Sequence, residues 1–225
     1  MHNSGPTSAD SSVRSLLSYR ESLMNIRQYN VCQDVKGKGL AWISGGNPLL
    51  MHKPLVAFST NAWIPPKHGW VKVNVDGTYI EQTGEAGIGM LARDHTGTVC
   101  FSAWRVLFHC SGPVEAEARA CVEGLRLASQ WVHLPVLLES DCSRVVKAFK
   151  STMEDRSEIA FQIREGKELV HLLQEVQFVQ VNRERNSAAH VLAQLARRNV
   201  HSAVWLRQVP SCIAQLVVLE CNSSP

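Results

Sequence analysis

Residues 71 to 79 read VKVNVDGTY, and this stretch decides the fold. Val71, Val73 and Val75 alternate with Lys72, Asn74 and Asp76, the two-residue period of a β-strand with its apolar side chains on one face. Just before it, WIPPKHGW (63–70) sets Pro65, Pro66 and Gly69 close together, which stops regular structure and marks a domain boundary.

On the C-terminal side, AGIGMLARD (86–94) reads as a second strand, RDHTG as a turn and TVCFSAWRVL (98–107) as a third strand, so the three form an antiparallel meander. The period then changes. Val114, Ala118, Cys121, Leu125, Ala128 and Val132 recur at helical spacing, predicting an amphipathic helix over 114–131. VLLES (136–140) reads as a buried strand. Helices follow over 143–150 and about 157–173, then the strand VQFVQV (176–181) and a helix over 187–198. The order βββαβααβα predicts an α/β fold: a mixed five-stranded sheet, antiparallel on one side and parallel on the other, flanked by helices.

This domain is expected over 63–200. Residues 1–62 form a poorly defined N-terminal extension with one helical pattern over 13–29 and a Gly-, Pro- and Lys-rich stretch over 36–53. Residues 201–225 form a C-terminal tail whose run CIAQLVVLEC (212–221) is compatible with either an edge strand or a helix. With 225 residues and 45% hydrophobic content the chain can bury one substantial core. No apolar run approaches the roughly 18 to 20 residues of a membrane span, and MHNSGPTSADSS lacks the basic start and apolar centre of a secretory signal. Seven scattered cysteines contain no CxxC pair; Cys121 and Cys142 read as small apolar residues on helical positions. The expectation is a soluble, intracellular monomer without a membrane partner. A net charge of +3 permits a nucleic-acid partner without requiring one.

Three acidic residues stand where periodicity does not place them. Asp76 ends the first strand and precedes Gly77, a residue that tolerates a sharp exit and close backbone approach. Glu117 borders the apolar stripe of the first helix, whereas Glu115 and Glu123 point away from it. Asp141 follows VLLES. Singly they read as a turn residue, a solvated helix position and a helix cap. Together, the ends of two parallel strands and a covering helix bring them to one sheet edge, where clustered carboxylates require a cation. Oxygen ligands suit Mg²⁺ or Mn²⁺, and two such ions about 4 Å apart would activate water and stabilise a leaving oxygen in phosphodiester cleavage.

WIPPKHGWVKVNVDGTY, AGIGMLARDHTG, EAEARACVEGLRLA, LLESDCSRVV and RNSAAHVLAQLA, in this order, resemble the type 1 ribonuclease H family, in the plant branch similar to the ribonuclease H region of non-LTR retrotransposons. The resemblance covers about 130 of the 225 residues. It implies Mg²⁺-dependent endonucleolytic hydrolysis of the RNA strand of an RNA/DNA hybrid. It carries metal-ligand roles onto Asp76, Glu117 and Asp141. The family's fourth acidic position corresponds to His190, which would hold an ion less well than a carboxylate, since imidazole binds Mg²⁺ poorly. By spacing alone, His190 also reads as a surface residue beside Gln194 and Arg197. A loop histidine that assists product release in some members corresponds to Gln180. The resemblance also implies substrate contacts from Gly77, Thr78 and Ser143 and from the loop 182–186, Asn186 included; Arg183 and Arg185 read either as phosphate contacts or as a solvated basic loop. No counterpart of the basic protrusion of some relatives is visible.

The related 3′ to 5′ exonucleases place a glutamate two residues after the first aspartate; Thr78 stands there, which argues against that activity. Two other readings stay open: a degenerate domain that binds nucleic acid or a protein without cleaving, and a retrotransposon remnant with no present function.

Overall fold

A computed structural model describes residues 63–222. The helical pattern at 13–29, the remainder of 1–62, Cys32 and residues 223–225 lie outside the described residues.

The meander forms as its alternation requires: β1 (Val71–Tyr79), β2 (Ala86–Asp94) and β3 (Val99–Leu107) pair antiparallel. In the turn between β2 and β3, Asp94 Oδ1 accepts hydrogen bonds from the Thr96 and Thr98 amides, and Gly97 takes a φ of +83°. Helix α1 (Pro113–Trp131) begins one residue earlier than its periodicity suggests, because proline at the first helical position forgoes only an N–H that has no helical acceptor. Then come β4 (Val136–Ser140), α2 (Ser143–Lys150), α3 (Ala160–Val170) and β5 (Val176–Gln180). Helix α3 is shorter than the 157–173 pattern at both ends. Asp155 draws the Ser157 amide and hydroxyl into a turn, while the amides of residues 171 to 173 bond three residues back instead of four. A 3₁₀ turn (Arg183–Asn186) leads into α4 (Ser187–Asn199).

Residues after 200 complete the sheet. Strand β6 (Ala203–Leu206) pairs antiparallel with β3, so the sheet has six strands, not the expected five, in the order β5-β4-β1-β2-β3-β6. β4 lies parallel to both β1 and β5, and the mixed character expected from the element order holds. The run CIAQLVVLEC is helical, within α5 (Ser211–Asn222): Ile213, Val217 and Glu220 recur at helical spacing and are its buried residues.

One face of the sheet buries Val71, Val73, Val75, Ile88 and Phe101 against Cys121, Leu125 and Ala128 of α1. On the other, Leu91, Trp104 and Trp205 meet Leu192 and Ala196 of α4 and Ile213 and Val217 of α5. Close approach of α4 depends on Gly89, where a Cβ would sit 2.2 Å from the Ala189 carbonyl oxygen. Cys121 is in the first core, and burial pushes its thiol well above the ordinary range. Cys142 is not on a helical position: it is the residue that caps α2, and it is only half-buried. All described cysteines are free thiols. No described helix is long and apolar enough to cross a membrane.

The polar side of β1 is also buried. Lys72 pairs with Glu139 at 2.6 Å, Asn74 donates to Glu139, Trp63 Nε1 and Arg93 donate to Asn74 Oδ1, and the Arg93 guanidinium lies 4.0 Å over the Trp63 ring. Arg93, 1% exposed, also pairs with Glu220 at 2.8 Å, and Glu220 Oε1 accepts the Ala188 amide in the first turn of α4. The carboxylate thus neutralises a buried guanidinium and caps the helix that carries His190. Glu220→Ala is expected to cost about 3 kcal/mol, because it strands Arg93 as an uncompensated buried charge. The melting temperature should fall by about 6 to 12 °C, and an unchanged melt would refute the role.

Glu115 and Glu123 do not reach solvent as their position off the apolar stripe suggested; they are 7% and 5% exposed. Arginines cover them: Arg119 pairs with Glu115, and Arg105 and Arg126 with Glu123. Burial pushes the Glu123 carboxyl up to about 7 against the attraction of Arg126, with Glu165 adding to the rise. Because this lies above the ordinary value of 4.5, its stability contribution is full below about pH 4.5 and is lost as pH rises to about 7. Glu123→Gln should therefore flatten the stability profile across that window by up to about 3 kcal/mol. Melting curves of the two proteins that run parallel from about pH 4.5 to 8 would contradict it.

Candidate metal centre and nucleic-acid cleft

Asp76 does not end its strand. β1 continues to Tyr79, and Gly77 pairs with Ile88 in the β1–β2 ladder. What ends near Asp76 is the parallel pairing with β4, whose last partners are Asn74 and Glu139. The two chains separate there, leaving room for Asp76 from β1 and for Asp141, the residue after β4. The glycine serves close approach and not a sharp exit. A Cβ at Gly77 would stand 2.6 Å from the carbonyl carbon of Ala116 and from the Glu117 amide nitrogen. Its absence lets β1 touch the backbone of α1, and the Gly77 amide donates to the Glu117 carboxylate. Ser140 Oγ donates to the same carboxylate at 3.3 Å.

Asp76, Glu117 and Asp141 each bring a carboxylate oxygen to within 4.8 Å of the others. Asp76 is 2% and Glu117 9% exposed. The electrostatic consequence is plain. Burial first, then the charges of Asp76 and Asp141, push the Glu117 carboxyl well above the usual range. Burial and Asp76 raise that of Asp141, with Arg183 and His190 pulling it back. Carboxylates that resist ionisation together are stabilised by a divalent cation, and a set made only of oxygens suits Mg²⁺ or Mn²⁺; the residues present fit such an ion.

A cleft of about 280 Å³ opens over the cluster, lined by Gly77, Thr78 and Tyr79 of β1, Arg183 of the 3₁₀ turn, and His190, Gln194 and Arg197 of α4. Gly77, Thr78 and Arg183 therefore line the same cleft as the carboxylates. Ser143 is half-buried at the start of α2, outside the cleft lining. Asn186 is 1% exposed and faces inward: its Nδ2 donates to the Val75 carbonyl at 2.8 Å, tying the loop to β1 next to Asp76. Arg185 lines a separate groove with Lys67, Trp70 and Gln180, so of the loop 182–186 only Arg183 reaches the cleft. Gln180 is the exposed last residue of β5.

His190 does enter the site. Its Nδ1 lies 3.0 Å from Asp76 Oδ2, and its Nε2 is 3.0 Å from Arg183 Nη2 and 2.8 Å from Gln194 Nε2. The contributions of Tyr79, Gln194, Arg197 and Ser140 were not singled out from sequence. For two of them the signal was present, since His190, Gln194 and Arg197 share one helical face, but that face reads as solvated until α4 is placed beside β1.

Residues 74–196, more than half of the chain, match the reverse transcriptase-like family. The chain belongs to the reverse transcriptase-like family of ribonuclease H domains. Within this ribonuclease H-like domain lie all three carboxylates and His190. An Arabidopsis thaliana protein provisionally named a ribonuclease H protein is 36% identical over 138 residues, 60% of this chain; the match spans 22% of that relative's length. Among solved structures, RNase H1 of Halobacterium salinarum NRC-1 superposes with a TM-score of 0.54 at 20% identity, over 58% of this chain and 99% of that one. The N-terminal RNase H domain of a Mycobacterium tuberculosis protein gives 0.54 at 20% identity, over 58% of this chain and 94% of that one. LC11-RNase H1 in complex with an RNA/DNA hybrid gives 0.50 at 18%, over 58% and 98%. At these identities the likeness establishes the fold of the ribonuclease H-like domain.

Proposed function

We propose that this domain hydrolyses the RNA strand of RNA/DNA hybrids with the help of a divalent cation held by Asp76, Glu117 and Asp141. The observation that carries the reading is the convergence of three carboxylates within 4.8 Å, two of them with raised proton affinity, at the floor of a cleft in a ribonuclease H-like fold. Mg²⁺ or Mn²⁺ bound there supplies the positive charge that polarises the scissile phosphodiester and an attacking water. The chain's own residues do the positioning. The Gly77 amide and Ser140 hydroxyl orient Glu117, the Gly77–Thr78 backbone presents a groove floor for the sugar edge, and Arg183 meets a phosphate beside the cluster. An RNA/DNA hybrid is the substrate class because one of the solved relatives of like fold is held with such a hybrid.

A second reading, binding without cleavage, draws on His190, whose ring is engaged with Asp76 where the family pattern has a fourth acid. The deciding experiment incubates the full chain with a hybrid labelled on its RNA strand, with Mg²⁺, Mn²⁺ or chelator. Metal-dependent nicking of the RNA strand alone is expected. Hybrid binding with no product at any metal concentration would end the nuclease reading in favour of the second.

A further inference from the structure

Given the metal-site reading above, we infer that His190 is a positioning residue that holds Asp76 by a hydrogen bond and is not a fourth ligand of the ion. The contact with Asp76 places the ring proton. Nδ1 lies 3.0 Å from Asp76 Oδ2, and a carboxylate oxygen accepts, so Nδ1 carries a proton and donates it. Arg183 Nη2 lies 3.0 Å from Nε2 and 3.5 Å from Nδ1, a position over the ring and not in line with either nitrogen. The Gln194 side-chain amide meets Nε2 at 2.8 Å. The nitrogen that faces the cluster is thus protonated and offers no lone pair to an ion. Among the described residues, the atoms close enough to share an ion are those of the three carboxylates.

Both ends of this hydrogen bond are anchored. Asn186 holds the Val75 carbonyl, the residue before Asp76, and Glu220 holds the Ala188 amide, two residues before His190. Hydrogen bonding to one oxygen of a ligating carboxylate fixes its rotation, and such partners typically change metal affinity by about 10 to 100-fold when removed.

The two roles make opposite predictions for substitution. Asn places an amide N–H close to where Nδ1–H stands, so His190→Asn keeps the donor, whereas His190→Ala removes it and His190→Asp sets an anion against Asp76. Mn²⁺ affinity of the full chain is measured by electron paramagnetic resonance, and the tautomer is read from long-range ¹H–¹⁵N imidazole spectra before and after Mg²⁺. The expected result is Nδ1 protonated in both spectra, Mn²⁺ affinity about 10-fold weaker in His190→Ala, and affinity near wild type in His190→Asn. Equal loss in the Asn and Ala variants, tighter binding in His190→Asp, or an Nδ1 without a proton would overturn the inference. Wild type that binds Mn²⁺ no better than Asp76→Asn would instead sink the metal-site reading, and the tautomer of the metal-free protein still tests the hydrogen bond on its own.

Discussion

Asp76→Asn is expected to reduce hybrid cleavage by about 1000-fold or more while making the metal-free protein more stable. The loss follows from charge. A cation held by two carboxylates instead of three is held weakly, and forfeiting about 4 kcal/mol of transition-state stabilisation corresponds to a factor near 1000. The gain follows from the same geometry. Three carboxylates within 4.8 Å repel, and Asp76 is the largest charge-based cause of the raised proton affinity of both Glu117 and Asp141, second only to burial. A carboxyl whose folded value is raised contributes stability that is full below its ordinary value and is lost as pH rises through the raised one. The wild-type apoprotein therefore loses stability toward neutral pH, and the neutral amide relieves part of that loss, by about 1 to 3 kcal/mol at an effective dielectric near 20. Asn also keeps an oxygen to accept the His190 hydrogen bond. Melting in chelator from about pH 4 to 8 checks this: the advantage of Asp76→Asn should grow with pH and vanish at the acid end. A mutant less stable than wild type at pH 8 would show that the cluster is not strained by its charges.

Gly77→Ala is expected to destabilise the domain by about 3 kcal/mol or more, a fall of about 6 to 12 °C in melting temperature, and to abolish metal binding with it. The new Cβ would sit 2.6 Å from the backbone of Ala116 and Glu117. Neither neighbour is a flexible side chain that can rotate aside, so α1 must move off β1, taking Glu117 away from Asp76 and from the Gly77 amide. Gly112→Ala, just before the same helix, has nothing within 4 Å of its Cβ and an extended φ of 168°, so it should stay within about 0.5 kcal/mol of wild type. Comparable stability of the two variants would mean that β1 and α1 do not require the close contact.

Much of this was legible in one dimension because it rests on local periodicity. The Val71–Val73–Val75 alternation, the helical recurrence from Val114 to Val132 and the order of strands and helices set the layers. Asp76, Glu117 and Asp141 drew notice because they break or border those patterns. The burial of Glu115 and Glu123 was not legible, since it depends on Arg105, Arg119 and Arg126 closing over them. Nor was the sixth strand, because Ala203–Leu206 shows no alternation long enough to distinguish it from a loop and is a strand only by pairing with β3. Asn186 looked like a binding residue for the same reason: a loop asparagine gives no local sign of whether it faces solvent or the carbonyl of a distant strand.

The sequence by itself determined the α/β class, the mixed sheet and the three acidic positions, because each is written in residue spacing. The contact of His190 with Asp76 arises only from the packing of the elements. Arg183, Gln194 and Asp76 converge on its ring from a 3₁₀ turn, a helix and a strand. Arg93, Glu220 and Asn186 hold those elements in place, and no spacing along the chain encodes which distant side chains meet at one histidine ring.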